Sequence, residues 1–155
     1  MYNHAPKNYV CPMCLIAKGV ENELTYTKQQ DVFYRDKDVT AFIASHWWPS
    51  NNAHVLIIPN QHIENIYDLS DELSGKIHSF ERKVAIAIKE IYHCDGVSSR
   101  QHNEPAGNQD VWHYHLHVFP RYNDDNLYLV HNKKKLSNPT DRMAFADKLK
   151  DYFSK

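Results

Sequence analysis

Residues 112–121 read Trp-His-Tyr-His-Leu-His-Val-Phe-Pro-Arg, and no other stretch of the 155-residue chain limits its fold so strongly. The run predicts a strand over Val111–Tyr122. Strand side chains point to opposite faces with period two, so Trp112, Tyr114, Leu116 and Val118 share one face. His113, His115, His117, Phe119 and Arg121 share the other. The first face suits the core side of a sheet. The second lines up three imidazoles about 6–7 Å apart, given a rise of about 3.3 Å per residue. A solvated face can be built from Thr, Lys or Glu and needs no imidazole three times running. Two chemistries fit such a face. Three imidazoles can hold a catalytic metal, or neutral imidazoles can act as nucleophile, acid and phosphate ligand near neutral pH.

The rest of the chain supplies a frame for that strand. Asp31–Arg35 and Val39–Ala44 predict two strands joined by the turn Asp36-Lys37-Asp38. Val55–Ile58 before Pro59 is fully apolar, as in a central strand buried on both faces. Leu69, Leu73, Ile77, Phe80, Val84, Ile88 and Ile91 recur at steps of three or four and predict a long amphipathic helix over 70–93. Ser70 can cap its start, and Asp95-Gly96 should close it. Val97–Asn103 predicts a further strand, and Glu104–Asn108 and Lys133–Lys135 predict loops, the latter solvated. Asn138 and Pro139 open a last helix with Met143, Ala146, Leu149 and Phe153 inward. The expected class is α+β, an antiparallel sheet with one long helix packed on one face and a C-terminal helix. Its length fits one domain, with a core over 9–122 and an extension over 123–155.

Composition narrows the functions. Eighteen basic and nineteen acidic residues give a net charge of −1, without the basic footprint of a nucleic-acid binder. The longest apolar run, Val55–Pro59, is far too short to span a bilayer, and Met1–Val10 has no apolar secretory core. Three cysteines without an export signal point to a reducing cytoplasm. Cys11-x-x-Cys14 can be a redox pair or half a metal site. A thioredoxin-like pair would follow a strand and open a helix, and nothing strand-like precedes this one. Cys94 reads as a partly buried thiol, and His46, His78, His93 and His131 as surface or helix histidines. Trp47-Trp48 should pack on the core or a second subunit, or wall a base pocket.

The segment His113-x-His115-x-His117-Val118-Phe119 resembles the signature of the histidine-triad proteins, which hydrolyse or transfer nucleotidyl groups. His54-Val55-Leu56-Ile57-Ile58-Pro59 followed by His62 is similar to their strand-to-helix segment, and Asn103 with Gln109-x-Val111 to their phosphate loop. The resemblance implies that His115 attacks the α-phosphorus and forms a covalent nucleotidyl-histidine. It implies that His117 binds phosphate oxygens, that Asn103 and Gln109 donate to the phosphates, and that His54 lines the active site. From the zinc-bearing branch and the related hexose-phosphate uridylyltransferases it implies one structural zinc per chain on Cys11, Cys14, His62 and His113, with His54 as the alternative to His62. A two-fold homodimer is implied as well. Implied substrates are dinucleoside polyphosphates, nucleoside phosphoramidates or adenylylated small molecules. The competing readings are a nucleotide-binding scaffold without turnover, and a metalloenzyme with its metal on His113, His115 and His117.

The chain departs from that pattern at three places. Ala44 stands where the family places an acidic or amide residue for the ribose, leaving Ser45, His46 and Asn51 as nearby candidates. Ala53 replaces a customary Gly before the strand histidine. Asp110 stands where a hydroxyl residue would donate to phosphate, and an ionised carboxylate there should turn away and cap the loop.

Overall fold

The run Val55–Pro59 forms strand β4, buried at every position, in the middle of a five-stranded antiparallel sheet. β4 is flanked by β2 (Val39–Ile43) on one side and β6 (Leu116–Arg121) on the other. β1 (Val32–Arg35) and β5 (Gly96–Gln101) are the edges, giving the order β1-β2-β4-β6-β5. A two-stranded ribbon pairs β3 (His46–Trp47) with β7 (Lys135–Leu136). The structure, a computed structural model, describes residues 2–155.

Helix α2 (Asp71–Tyr92) buries Ile77, Phe80, Val84, Ala87 and Ile88 on one face of the sheet, against Ala41, Ile43, Ile57 and Val118. Burying each such side chain contributes about 1.5–3 kcal/mol. Ser70 Oγ accepts from the Leu73 amide at 3.3 Å, and Asp71 and Glu72 lie at the positive end of the helix dipole. Helix α3 (Pro139–Phe153) joins the same layer through Ala146 and Leu149. The opposite face, with Phe42, Leu56 and Ile58, is covered by the short helix α1 (Pro12–Ala17).

Several local expectations are corrected. The histidine strand is shorter than its alternation: only Leu116–Arg121 pairs, and Val111–His115 approaches it as bends. His113 is thereby released from the strand and turns toward α1. Helix α2 ends on His93 in the left-handed conformation (φ 52°, ψ 35°), and Gly96 begins β5. Lys89 closes that end by donating to the carbonyls of Cys94 and Asp95 at 2.6 and 3.1 Å. On α3 Arg142 is buried along with Ala146 and Leu149, whereas Met143 is 37% exposed. Arg142 reaches inward to a carboxylate, Asp31 Oδ2 at 2.9 Å, so its charge is compensated. Cys94 is buried, and Lys133–Lys135 are exposed as expected but run from the 3₁₀ turn His131–Lys133 into β7 instead of forming a plain loop.

Candidate active site and metal centre

Register places the site. Across the face opposite α2, one row runs Phe42, Leu56, His117, Arg100, because Phe42 pairs with Leu56, Leu56 with His117 and His117 with Arg100. In the next row His54 precedes β4, beside Ala44, whose amide donates to the His54 carbonyl at 2.9 Å. Phe119 stacks on His54 with ring centres 4.5 Å apart. Ala53, with φ of 59°, turns the chain into β4 in a left-handed conformation that costs a non-glycine residue about 1–2 kcal/mol.

A cavity of about 370 Å³ opens over these rows, with His54, His115 and His117 in its lining. Met13, Ile16, Phe42 and Leu56 give it an apolar wall suited to a flat ring system. The His115 Nδ1–H donates to the His113 carbonyl at 2.7 Å, so Nε2 keeps its lone pair. Burial lowers the His115 pKa, which keeps the ring neutral and nucleophilic at neutral pH. His117 Nδ1 lies 3.3 Å from His54 Nε2, and His54 Nδ1 is buried with no partner among the described residues. An orphaned N–H costs more than an orphaned lone pair. His54 therefore donates from Nε2 to His117, which leaves His117 Nε2–H as a hydrogen-bond donor. Burial pushes His54 down to about 3, with the Arg100 guanidinium adding to the effect, and takes His117 well below its ordinary value. The whole cluster is neutral at pH 7.

Beside it Cys11, Cys14, His62 and His113 bring their donor atoms within 4.8 Å of one another. Cys11 Sγ is 3.3 Å from His113 Nδ1, and Cys14 Sγ is 3.3 Å from His62 Nδ1 and 3.5 Å from His113 Nδ1. A tetrahedron with bonds of about 2.0–2.3 Å has edges of roughly 3.3–3.8 Å, and these three distances fall within that range. His113 Nε2–H donates to the Pro59 carbonyl at 3.0 Å, fixing the tautomer that offers Nδ1 to a metal. The hydrogen-bonded partnership with Cys11 holds Cys14 down at about 4, with His113 and His62 adding to it, so this pair gives up a proton easily. All three cysteines are free thiols, and His54 belongs to the other cluster. A bound zinc would supply a fold-stabilising crosslink between α1 and the 59–62 and 113 segments.

Residues 26–124 match the family model described as HIT domain. The chain belongs to the HIT domain family. It is 32% identical to "Protein hit" of Bacillus subtilis over 109 residues, 70% of this chain and 71% of that one. It is 31% identical to the adenosine 5′-monophosphoramidase hnt1 of Schizosaccharomyces pombe over 77 residues, 50% of this chain and 55% of that one. The fold matches a Zn-bound histidine triad family protein from Mycobacterium smegmatis with a TM-score of 0.73 and 24% identity, covering 93% and 96% of the two chains. The α+β architecture expected from the sequence is thus that of the HIT proteins.

Within this HIT domain the expected residues divide. His54, His115 and His117 share the cavity, and Cys11, Cys14, His62 and His113 share the metal cluster. Asn103 and Gln109 reach neither. Asn103 accepts from the Ile66 amide at 2.8 Å and exchanges bonds with the Gln101 amide. Gln109 is spent on the carbonyls of Glu64 and Val111 and the amide of Glu104, which pins the loop before Asp110. Of the ribose candidates, Ser45 and His46 line the cavity beside Ala44. Asn51 is buried elsewhere, donating to the Pro120 carbonyl and Asp125. Asp110 faces the cavity and is paired with Lys134 Nζ at 3.3 Å instead of capping its loop. Trp47 packs in the main core against Phe145, and Trp48 forms cavity wall. The contribution of Lys134 is not legible in the sequence because it depends on the β3–β7 pairing between segments about 90 residues apart.

Proposed function

We propose that this HIT protein is a nucleotidyl hydrolase that cleaves at the α-phosphate of a nucleotide conjugate through a nucleotidyl group on His115. The observation that carries the reading is the fixed tautomer pair: a lone-pair Nε2 on neutral His115 beside an N–H on His117, in the lining of an apolar-walled cavity. His115 Nε2 attacks phosphorus, a P–N bond forms, and the leaving group departs with its bonding electron pair and takes a proton from solvent. Water then attacks the phosphorus, releases the nucleotide and restores the imidazole. His117 Nε2–H meets the phosphate oxygens as charge builds. The monophosphoramidase relative supports this class of reaction. Gln109 supports it indirectly here, by holding the loop that carries Asp110 and Val111 to the cavity, while Asn103 anchors the Ile66 amide.

The cofactor we propose is one structural zinc on Cys11, Cys14, His62 and His113, outside the chemistry. The donor geometry supports this arrangement over a metal shared by the triad, since His113 Nδ1 points to the sulfurs while His115 Nδ1–H is committed to a carbonyl. We also propose a homodimer working in a reducing cytoplasm, which suits three free thiols. No helix among the described residues is long and apolar enough to cross a membrane. A panel of adenosine and guanosine phosphoramidates and dinucleoside polyphosphates tests the activity. The expected product is the mononucleotide, and release of none from any member would refute it.

A further inference from the structure

The C-terminal extension carries three consecutive lysines to the rim of the cavity. Its path is firmly held. β7 pairs with β3, the Ser137 amide and hydroxyl both donate to the Ser45 carbonyl at 2.9 and 2.8 Å, and buried Arg142 donates to the Ser137 carbonyl at 2.7 Å. Lys134 falls on the cavity side, with its ammonium 5.8 Å from the Trp48 ring centre and 3.3 Å from Asp110 Oδ2. Lys133 and Lys135 fall on the other side, where they line a separate groove of about 510 Å³ with Trp47, Trp48, Pro49 and Asn52. Trp48 is a wall of both spaces, so the lysine run straddles the ridge between them.

We infer that this groove, with Lys134 at its threshold, is a leaving-group subsite for the polyphosphate chain and second nucleoside of a dinucleoside polyphosphate. The inference rests on the nucleotidyl-hydrolase reading above and names its substrate class. The charge arrangement supports it. Asp110 would repel a polyphosphate crossing the rim, and Lys134 neutralises it. The pair is long and exposed on both sides, so its attraction is worth no more than about 1 kcal/mol and a phosphate can displace the carboxylate. Lys133 and Lys135 are exposed and in no ion pair among the described residues, which leaves two cations for the phosphates beyond. Exposed Pro49 offers apolar surface to a base, next to the largely buried Trp48 in the groove wall. A neutral amine leaving group gains nothing from these lysines.

The test compares the full-length wild type with Lys134→Ala and with the Lys133→Ala/Lys135→Ala double variant. The readout is the ratio of kcat/KM for diadenosine tetraphosphate to that for adenosine 5′-phosphoramidate. We expect the ratio to fall about tenfold in each variant, or 1.4 kcal/mol, with Lys134→Arg restoring it. A second arm measures Kd for a methylene-bridged, non-hydrolysable diadenosine tetraphosphate against Kd for AMP. The wild type should favour the dinucleotide and the variants should lose that preference. A wild type that cleaves both compounds while the ratio stays within twofold across the variants overturns the subsite alone. A wild type that cleaves neither overturns the hydrolase reading, and the binding arm then decides the subsite: an unchanged preference overturns it.

Discussion

The backbone carbonyl of His113 accepts the Nδ1–H of His115 at 2.7 Å, while the ring of His113 faces the sulfurs of Cys11 and Cys14 at 3.3 and 3.5 Å. One residue thus joins the Cys/His cluster to the proposed nucleophile, with its side chain in one and its main chain in contact with the other. Residues of α1 add a second link, since Met13 and Ile16 line the cavity while Cys11 and Cys14 flank Met13 in sequence.

Purified protein should therefore contain about one zinc per chain, and Cys14→Ser should lose it. Because folding and metal binding are coupled, the melting temperature should drop on chelation and in the variant. Cys94→Ser, remote from the cluster, should keep its zinc. Metal-free protein that melts at the same temperature as metal-loaded protein would contradict the assignment.

Acid should unfold the protein through its buried histidines. In the unfolded chain a histidine takes up its proton near pH 6.5, whereas native His54 does so only near 3. Between those values the unfolded state holds the extra proton, so stability present above pH 6.5 is lost as the pH falls toward 3. The loss is about 1.4 kcal/mol per pH unit for each such group. Urea unfolding of wild type and His54→Gln between pH 6.5 and 4 checks this. The variant should show a slope shallower by about one proton, and identical slopes would refute the assignment.

Arg142 is expected to be a stability residue. It is 1% exposed and bonds Asp31, itself fully buried, together with the carbonyls of Ser137 and Tyr26. Arg142→Ala leaves an uncompensated buried carboxylate and should cost about 3–5 kcal/mol in urea unfolding. Asp31→Leu with Arg142→Met should recover much of that. A single variant within 1 kcal/mol of wild type would show that water or a local shift compensates Asp31.

The proposed dimer is checked by light scattering, which should give about twice the chain mass of 18.2 kDa. A value near the chain mass at micromolar concentration would reject it. The tryptophan pair no longer argues for it, because Trp47 and Trp48 are 9% and 5% exposed within one chain.

The sequence foretold elements whose signal is local. Ser70 capping α2, the apolar run of β4 and the inward positions of Ala146 and Leu149 each follow from spacing alone. The strand alternation was also right about His117 and Phe119, which share the cavity face of β6. It held for Tyr114, which is buried in the main core with Leu116 and Val118, and failed at Trp112, which stays outside that core because hydrogen bonding to β4 stops at Leu116 and period two loses its hold off the ladder. The rim of the cavity was illegible for another reason. Lys134 and Asp110 lie 24 residues apart and meet only after β7 has found β3. The burial of Arg142 has no local signal because its partner, Asp31, is 111 residues away.

The central claim, that His115 is the nucleophile, is tested most directly by trapping its adduct. Wild-type protein is mixed with a diadenosine polyphosphate or adenosine phosphoramidate, quenched within milliseconds and mapped by mass spectrometry under non-acidic conditions. The account predicts an adenylyl group on the peptide containing His115. It also predicts that His115→Ala forms no adduct and loses turnover by at least about a thousandfold, while keeping its fold, since His115 faces the cavity and not the main core. Near-normal turnover in His115→Ala, with no adduct on the wild type, would contradict it.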